Sequence, residues 1–378
     1  MATGSQPTTS TPVVPQFAGP CLINVVPALL SADGEAPDWL PGHVAEARQV
    51  VLLVLDGLGW EQLQARPHLA PTLAGAVGGP ITSVAPSTTA TALTSLSTGL
   101  PPAVHGVVGY RVRVDGQVLN VLRWQLGKAD ARRSVPPRRF QPFPAFPRVD
   151  GATTPVVTRA EYGATGFTAA HLAGSVLRGW RTPSEVVPEV RSLLGAGERF
   201  VYAYYDGIDR VAHARGLDDH YDAELRAADR LVADLLEEVP PGAVLVVTAD
   251  HGQVEVGSSV EVLGPEVMEG VELLSGEGRF RWLHTRRGAA DDVAAAAEAH
   301  FGHVAWVRTL DEMVDQGWLG GEPVPQVAER LGDVALVPFA ATSFLDPADT
   351  GEQRLVGRHG SLTASEMLVP LVSWDPAG

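Results

Sequence analysis

Cysteine is almost absent: Cys21 is the single one in 378 residues. That excludes an internal disulfide and any thiolate metal cluster, so a bound metal would need histidine and carboxylate ligands. Basic residues are scarce as well, 28 Lys and Arg against 44 Asp and Glu, for a formal net charge of −16. This balance argues against a surface built to grip nucleic-acid polymers, whose phosphate backbones need clustered cations. A small anionic substrate stays open, because a metal ion or a local arginine can override the global field at one site. No apolar run approaches the roughly 20 residues needed to span a bilayer. No Gly-x-Gly-x-x-Gly follows a strand-like run, which leaves dinucleotide binding unsupported. Met1–Gln16 is rich in Thr, Ser and Pro, without a basic start or an apolar h-region. Residues 1–20 are therefore expected to be a disordered leader and not a signal peptide, and the protein is expected in the cytoplasm.

What is present is a globular composition, 45% hydrophobic, with several apolar runs of strand length. Gln49–Leu55 has β-branched residues and leucines at consecutive positions, the pattern of a parallel strand buried on both faces. It ends on Asp56-Gly57, at the edge where open α/β sheets collect ligands and catalytic groups. Ala243–Ala249 repeats the pattern and ends on Asp250-His251-Gly252. Either acid alone could cap a helix, but two buried strands delivering carboxylates to one edge are hard to explain by caps. Between them, Pro80–Ala85 reads as a strand that empties into Pro86-Ser87-Thr88-Thr89 and a small-residue helix closed by Gly99. Such an elbow places a hydroxyl at a helix N-terminus, where free N–H groups and the helix dipole favour an anion. The plainer role for Ser87, Thr88 and Thr89 is to cap that helix.

Arg199–Tyr205 is a further strand that runs into Asp209 and His213, four residues apart and able to share a helical face around one cation. Leu217–Val239 reads as an amphipathic helix with Tyr221, Leu225, Ala228, Val232 and Leu235/Leu236 along one stripe. His359 lies in a glycine-flanked loop ahead of the strand Met367–Trp374. Cys21–Leu30 reads as an edge strand or packing arm, and Trp124–Gly151, with Arg132, Arg133, Arg138 and Arg139, as a basic surface loop. The predicted fold is α/β, a mostly parallel central sheet sandwiched by helices. Residues 21–256 and 341–378 would form its catalytic core and 257–340 a small α+β insert or cap, in which Arg279 and Arg281 are candidate specificity residues.

Asp56, Thr89, Asp209, His213, Asp250, His251 and His359 are thus three carboxylates, three histidines and a hydroxyl at loop or strand ends. The donors match paired divalent cations such as zinc or manganese. The order of Val-Leu-Asp56-Gly-Leu, Ala-Pro86-Ser-Thr-Thr89, Thr98-Gly99-Leu-Pro-Pro-Ala-Val-His105-Gly106, Asp209-Arg-Val-Ala-His213, Thr-Ala-Asp250-His251-Gly252 and His359-Gly-Ser resembles the alkaline phosphatase superfamily. Within it, the type I phosphodiesterase/nucleotide pyrophosphatase branch is the nearest pattern. The resemblance implies one metal on Asp209, His213 and His359, and a second on Asp56, Asp250, His251 and the Thr89 oxygen, zinc before manganese. It also implies Thr89 as the nucleophile that forms a phospho-enzyme, with Thr88 as its rival. Ala92 stands where that branch carries a phosphate-binding asparagine, so the Ala90 backbone N–H is a candidate replacement donor. The implied function is hydrolysis of phosphodiester or pyrophosphate bonds in small, nucleotide-like substrates. A phosphomonoesterase or phosphonate hydrolase, a metal-dependent phosphomutase and a non-catalytic metal-binding module are the alternatives.

Overall fold

The computed structural model describes residues 11–31, 37–148, 150–349, 351 and 354–375. Eleven strands build its two main sheets: β1 (Gln49–Leu55), β2 (Val77–Thr82), β3 (Pro155–Arg159), β4 (Val176–Trp180), β5 (Phe200–Tyr205), β6 (Ala243–Thr248), β7 (Val271–Glu277), β8 (Phe280–Thr285), β9 (Ala305–Thr309), β10 (Val334–Pro338) and β11 (Leu368–Ser373). The central sheet runs β2-β11-β6-β1-β5-β3-β4. Its pairs are parallel from β6 through β4, and β11 alone runs against its neighbours. The apolar runs of β1 and β6 are buried along nearly their whole length, as expected for strands covered on both faces. Leu55 pairs with Tyr205 and Val54 with Thr248, so Asp56, Asp206 and Asp250 leave the sheet at one edge.

Helices cover that sheet: α1 (Leu22–Leu30), α2 (Thr89–Thr98), α3 (Gly166–His171), α4 (Val186–Gly195), α5 (Gly207–Arg215) and α6 (Asp219–Glu238). The stripe expected on α6 is buried at Tyr221, Leu225, Ala228, Val232 and Leu235. Gly99 ends α2 in the left-handed region at φ 69°, where a side chain would also meet the Pro27 ring of α1 at 2.9 Å. α1 corrects the edge-strand reading of Cys21–Leu30. Its consecutive apolar residues fit a strand as well as a helix, and packing against the small residues of α2 selects the helix.

Two further expectations change. Residues 11–20 are not a loose leader: Val13 N–H donates to Leu362 O at 2.8 Å and Gln16 N–H to the Thr82 hydroxyl at 2.9 Å, while Val13, Val14 and Phe17 pack on the core. Residues 1–10 lie outside the described ones. The Trp124–Gly151 stretch has little regular structure but is pinned from within by buried Trp124, Phe140 and Phe146. The β7-β8-β10-β9 antiparallel sheet, with helix α7 (Ala290–Phe301), occupies the segment expected as an insert. One set of its side chains, including Phe280, Trp282 and Trp306, joins the main core, and another, including Leu283, Val293 and Leu336, forms a second cluster. Among the described residues no helix is long and apolar enough to cross a membrane.

Candidate active site

Most of the expected ligands sit where a central strand hands over to a loop or helix, and His359 follows the two-residue strand Gly357–Arg358 outside that sheet. Asp56 follows β1, Asp250 and His251 follow β6, and Asp209 lies in the first turn of α5 with His213 one turn later. Backbone contacts draw these loops together: Asp209 N–H donates to Asp56 O at 3.1 Å, and Gly57 N–H to Asp250 Oδ1 at 3.2 Å. Gly57 is required there, with φ 78° and with Asp209 Cα 3.0 Å from where a Cβ would stand. The result is two donor groups whose atoms lie within 4.8 Å of one another, Asp56 with Asp250 and His251, and Asp209 with His251 and His359.

The tautomers of the three histidines follow from their second nitrogens. Nδ1–H donates to a backbone carbonyl in each: His213 to Gly357 at 2.7 Å, His251 to Gly252 at 3.0 Å and His359 to Ser87 at 3.0 Å. Every Nε2 therefore carries a lone pair, the form a metal needs. Those lone pairs face carboxylates. His251 Nε2 lies 3.4 Å from both Asp56 Oδ1 and Asp250 Oδ2, and His213 and His359 lie 3.3 and 3.6 Å from Asp209 Oδ1. Asp56 Oδ1 and Asp250 Oδ2 are buried without a hydrogen-bond partner.

Acceptors facing acceptors in a buried site repel unless a cation lies between them. The titration directions express the same conflict. Burial, reinforced by Asp250 and Asp209, pushes Asp56 well above the usual carboxylate range. Burial, with Asp209 adding to it, also raises Asp250. His359 is driven well below its ordinary value by burial and then by His251 and His213. Oxygen and imidazole donors in this arrangement fit divalent transition cations. The grouping departs from the expected assignment in one respect: His251 belongs to both groups, whereas His213 belongs to neither, meeting the Asp209 carboxylate at 3.3 Å and the His359 ring at a centroid distance of 5.1 Å.

Thr89 opens α2, with Thr88 at the cap position making no side-chain cap bond, which sets aside the capping role. Ser87 Oγ donates to Ser361 O at 2.7 Å. Thr89 Oγ lies 3.1 Å from His251 Nε2 and, because that nitrogen holds a lone pair, the hydroxyl donates to it. Thr89 also lines a cavity of about 260 Å³, together with Asp56, Asp209, Asp206, Leu93 and Phe167; Thr88 does not. Ala90 is the second residue of α2, among the free N–H groups of a helix start, and Ala92 is fully buried one turn in.

Several residues of the site carry no sequence signal. Gln253 Nε2–H donates to Asp209 Oδ1 at 2.6 Å. Asp206 accepts both its Arg159 contacts from Nε, at 2.7 and 2.8 Å, and a third bond from the Tyr162 hydroxyl at 2.6 Å. The Tyr204 hydroxyl donates to Asp56 Oδ2. A third acid at the end of a strand was the one available hint to Asp206.

The expected specificity residues lie elsewhere. Arg279 is fully buried, paired with Glu366 at 2.6 Å and donating to the carbonyls of Pro338, Ala340 and Thr342. Arg281 is equally buried and donates to Phe344 O. No residue of 254–341 lines the cavity, whose wall comes from Leu122, the 158–172 segment and β5. Arg132 pairs with Asp130 at the surface, and Arg138 donates to the carbonyls of Gln141, Pro142 and Phe143.

Comparison with known proteins gives a consistent picture. The family model for type I phosphodiesterase / nucleotide pyrophosphatase matches residues 50–362. No curated protein matches the sequence. Human ectonucleotide pyrophosphatase/phosphodiesterase 5 superposes with a TM-score of 0.65 at 16% identity, covering 87% of this chain and 88% of that one. An inactive threonine-to-alanine variant of the murine protein, in complex with AMP, gives 0.63 at 15% identity, covering 87% and 88%. Phosphonoacetate hydrolase from Sinorhizobium meliloti 1021, in complex with phosphonoacetate, gives 0.62 at 19% identity, covering 87% and 90%. At such identities the superpositions establish the fold, a helix-flanked and mostly parallel sheet.

Proposed function

Because the chain belongs to the type I phosphodiesterase/nucleotide pyrophosphatase family, a family of hydrolases acting on phosphate esters, we propose that it cleaves phosphodiester or pyrophosphate bonds in small, nucleotide-like substrates through Thr89 at a two-metal site. The observation that carries the reading is the position of the Thr89 hydroxyl. It stands at the start of α2, 3.1 Å from His251 Nε2, and lines the same largely apolar cavity as Asp56 and Asp209.

Asp56, Asp250 and His251 would hold one cation beside Thr89, and Asp209, His213 and His359 the other, with His251 close enough to contribute to both groups. Two divalent ions there supply positive charge to the phosphoryl group and lower the pKa of the attacking hydroxyl; zinc and manganese both suit the donors. The Thr89 oxygen attacks phosphorus, the leaving oxygen departs with the bonding electrons, and water then cleaves the phosphothreonine ester. The first-turn N–H groups of α2, Ala90 among them, face the transferred anion, a role that would otherwise need a side-chain amide at Ala92. Gln253 holds Asp209 in place, and Tyr204 holds Asp56. Inactivation of a structural relative by a threonine-to-alanine change supports the nucleophile.

A second reading, a phosphomonoesterase or phosphonate hydrolase using the same residues, draws on Ala92 and on the shared fold of phosphonoacetate hydrolase. The deciding experiment is a turnover screen of nucleotide-type diesters, pyrophosphates, monoesters and phosphonoacetate on chelated protein reloaded with zinc or with manganese. Faster turnover of diesters or pyrophosphates is expected. A preference for monoesters or phosphonoacetate moves the assignment to the second reading, and isomerised product without released phosphate would identify a mutase.

A further inference from the structure

We infer that His171 is a specificity-determining residue that accepts a hydrogen bond from an N–H or O–H group on the organic part of the substrate. The inference rests on the reading that phosphorus is held at Thr89. His171 lines the same cavity as Thr89, Asp56 and Asp209. It closes α3, and its ring stacks on that of Phe167 one turn earlier, with centroids 3.9 Å apart and planes 14° from parallel.

The tautomer follows from local bonding. His171 Nδ1 lies 2.8 Å from Phe167 O. A carbonyl only accepts, so Nδ1 carries the hydrogen and Nε2 the lone pair. Burial keeps the ring uncharged, lowering its pKa to about 4, and Nε2 remains an acceptor at neutral pH. The side chain is nearly buried, with 5% of the residue exposed, and no group among the described residues partners Nε2.

Position is fixed as well as chemistry. Ser97 Oγ, on the helix that begins with Thr89, donates to His171 O at 2.8 Å, tying the imidazole to the nucleophile through rigid elements. Around it the wall is largely apolar, with Leu93, Leu122 and Leu172. An acceptor desolvated there without a partner is costly, so a ligand lacking a donor is penalised while one that carries it is not. Selection by one polar atom in an apolar wall is the common arrangement of small-molecule sites.

The test uses zinc-loaded protein and non-hydrolysable probes, the ortho, meta and para hydroxybenzylphosphonates, each paired with its fluorobenzyl isostere, titrated calorimetrically. At least one hydroxyl isomer should bind about tenfold more tightly than its fluoro partner, the affinity equivalent of one net hydrogen bond. That ratio should fall to near unity in His171→Leu and largely survive in His171→Gln, which keeps an acceptor. Equal affinities within every pair for the unaltered protein overturn the inference, as does a ratio that persists in His171→Leu. So does a uniform loss for both members of each pair, which would make His171 a packing residue. Turnover of a p-nitrophenyl phosphodiester by the same preparations separates the two readings. Intact turnover without donor discrimination sinks this inference alone, and discrimination without turnover sinks the hydrolase reading alone.

Discussion

The Thr89 hydroxyl donates to His251 Nε2 at 3.1 Å, and that nitrogen is shared with the carboxylates of Asp56 and Asp250, 3.4 Å away. Through that hydrogen bond the hydroxyl meets the cluster of histidines and carboxylates without belonging to either donor group. Thr89→Ala should lower turnover of p-nitrophenyl phosphodiesters by on the order of a thousandfold or more, while elemental analysis still finds metal at near-native stoichiometry. Undiminished turnover would remove Thr89 from the mechanism, and Thr88→Ala, which leaves the cavity wall unchanged, should retain most of the activity.

Gln253 offers a check on the ligand set that does not remove a ligand. Its amide donates to Asp209 Oδ1 at 2.6 Å, and such supporting bonds typically change metal affinity by about 10–100-fold. Gln253→Ala should weaken metal binding in a competition titration by that order, with kcat recovering at saturating metal. An unchanged metal affinity would mean that Asp209 is held by its backbone alone.

Chelation should destabilise the fold as well as stop the reaction. Metal that binds the folded chain and not the unfolded one adds about 2.7 kcal/mol at a concentration a hundred times Kd. The buried acceptors of Asp56 and Asp250 would then face each other without a counter-charge. Thermal midpoints should therefore fall with chelator and climb with added zinc or manganese; a midpoint indifferent to both would contradict the metal assignment.

His105, which belongs to neither donor group, predicts an acid-side loss of stability. Burial lowers its pKa to about 3, and its ring bonds Ser95 Oγ at 2.8 Å and accepts from Val107 N–H at 3.1 Å. Its unfolded pKa is about 6.5, so below that pH the unfolded chain takes up a proton that the folded chain refuses. Its contribution is complete above the unfolded value and is lost as pH falls towards the folded one, at up to about 1.4 kcal/mol per pH unit. In denaturant titrations between those limits, His105→Phe should be less stable at neutral pH yet show a shallower decline. An unchanged slope would show that the ring is charged in the fold.

The buried Arg279–Glu366 pair, 2.6 Å apart with neither side chain exposed, joins the residue before β8 to the short helix Ala364–Met367 ahead of β11. Arg279→Met leaves an uncompensated buried carboxylate, a change that costs about 3–5 kcal/mol, and should lower the denaturation midpoint without altering KM. A shifted KM would restore the substrate-binding role that its burial argues against.

The central sheet was readable because its signals are local. β1 and β6 are unbroken apolar runs, and Asp56 and Asp250 follow them directly. The Asp209–His213 spacing is also a local pattern. Tertiary choices were not readable in the same way. Leu22–Leu30 satisfies both a strand and a helix pattern, and only the fit of Pro27 against Gly99 shows which is adopted. Gln253 and His171 owe their positions to partners 44 and 74 residues away in sequence, and Asp206, bonded to Arg159 47 residues away, is marked only by its place after a strand. The specificity expected of Arg279 and Arg281 failed for a related reason. A positive charge in a segment read as an insert suggests a ligand, whereas in this fold both guanidiniums are buried and donate to carbonyls, that of Arg279 to Pro338, Ala340 and Thr342 and that of Arg281 to Phe344.

The cavity wall and the cluster of acids and histidines share Asp56 and Asp209 but otherwise come largely from different lengths of chain. The donors follow β1, β5 and β6, with His359 in the segment ahead of β11, whereas much of the wall is the stretch from Thr158 to Leu172 at the sheet's flank. Selectivity can therefore drift during evolution, or be grafted from a relative, by exchanging that one stretch. The residues that assemble the ligand cluster need not change with it.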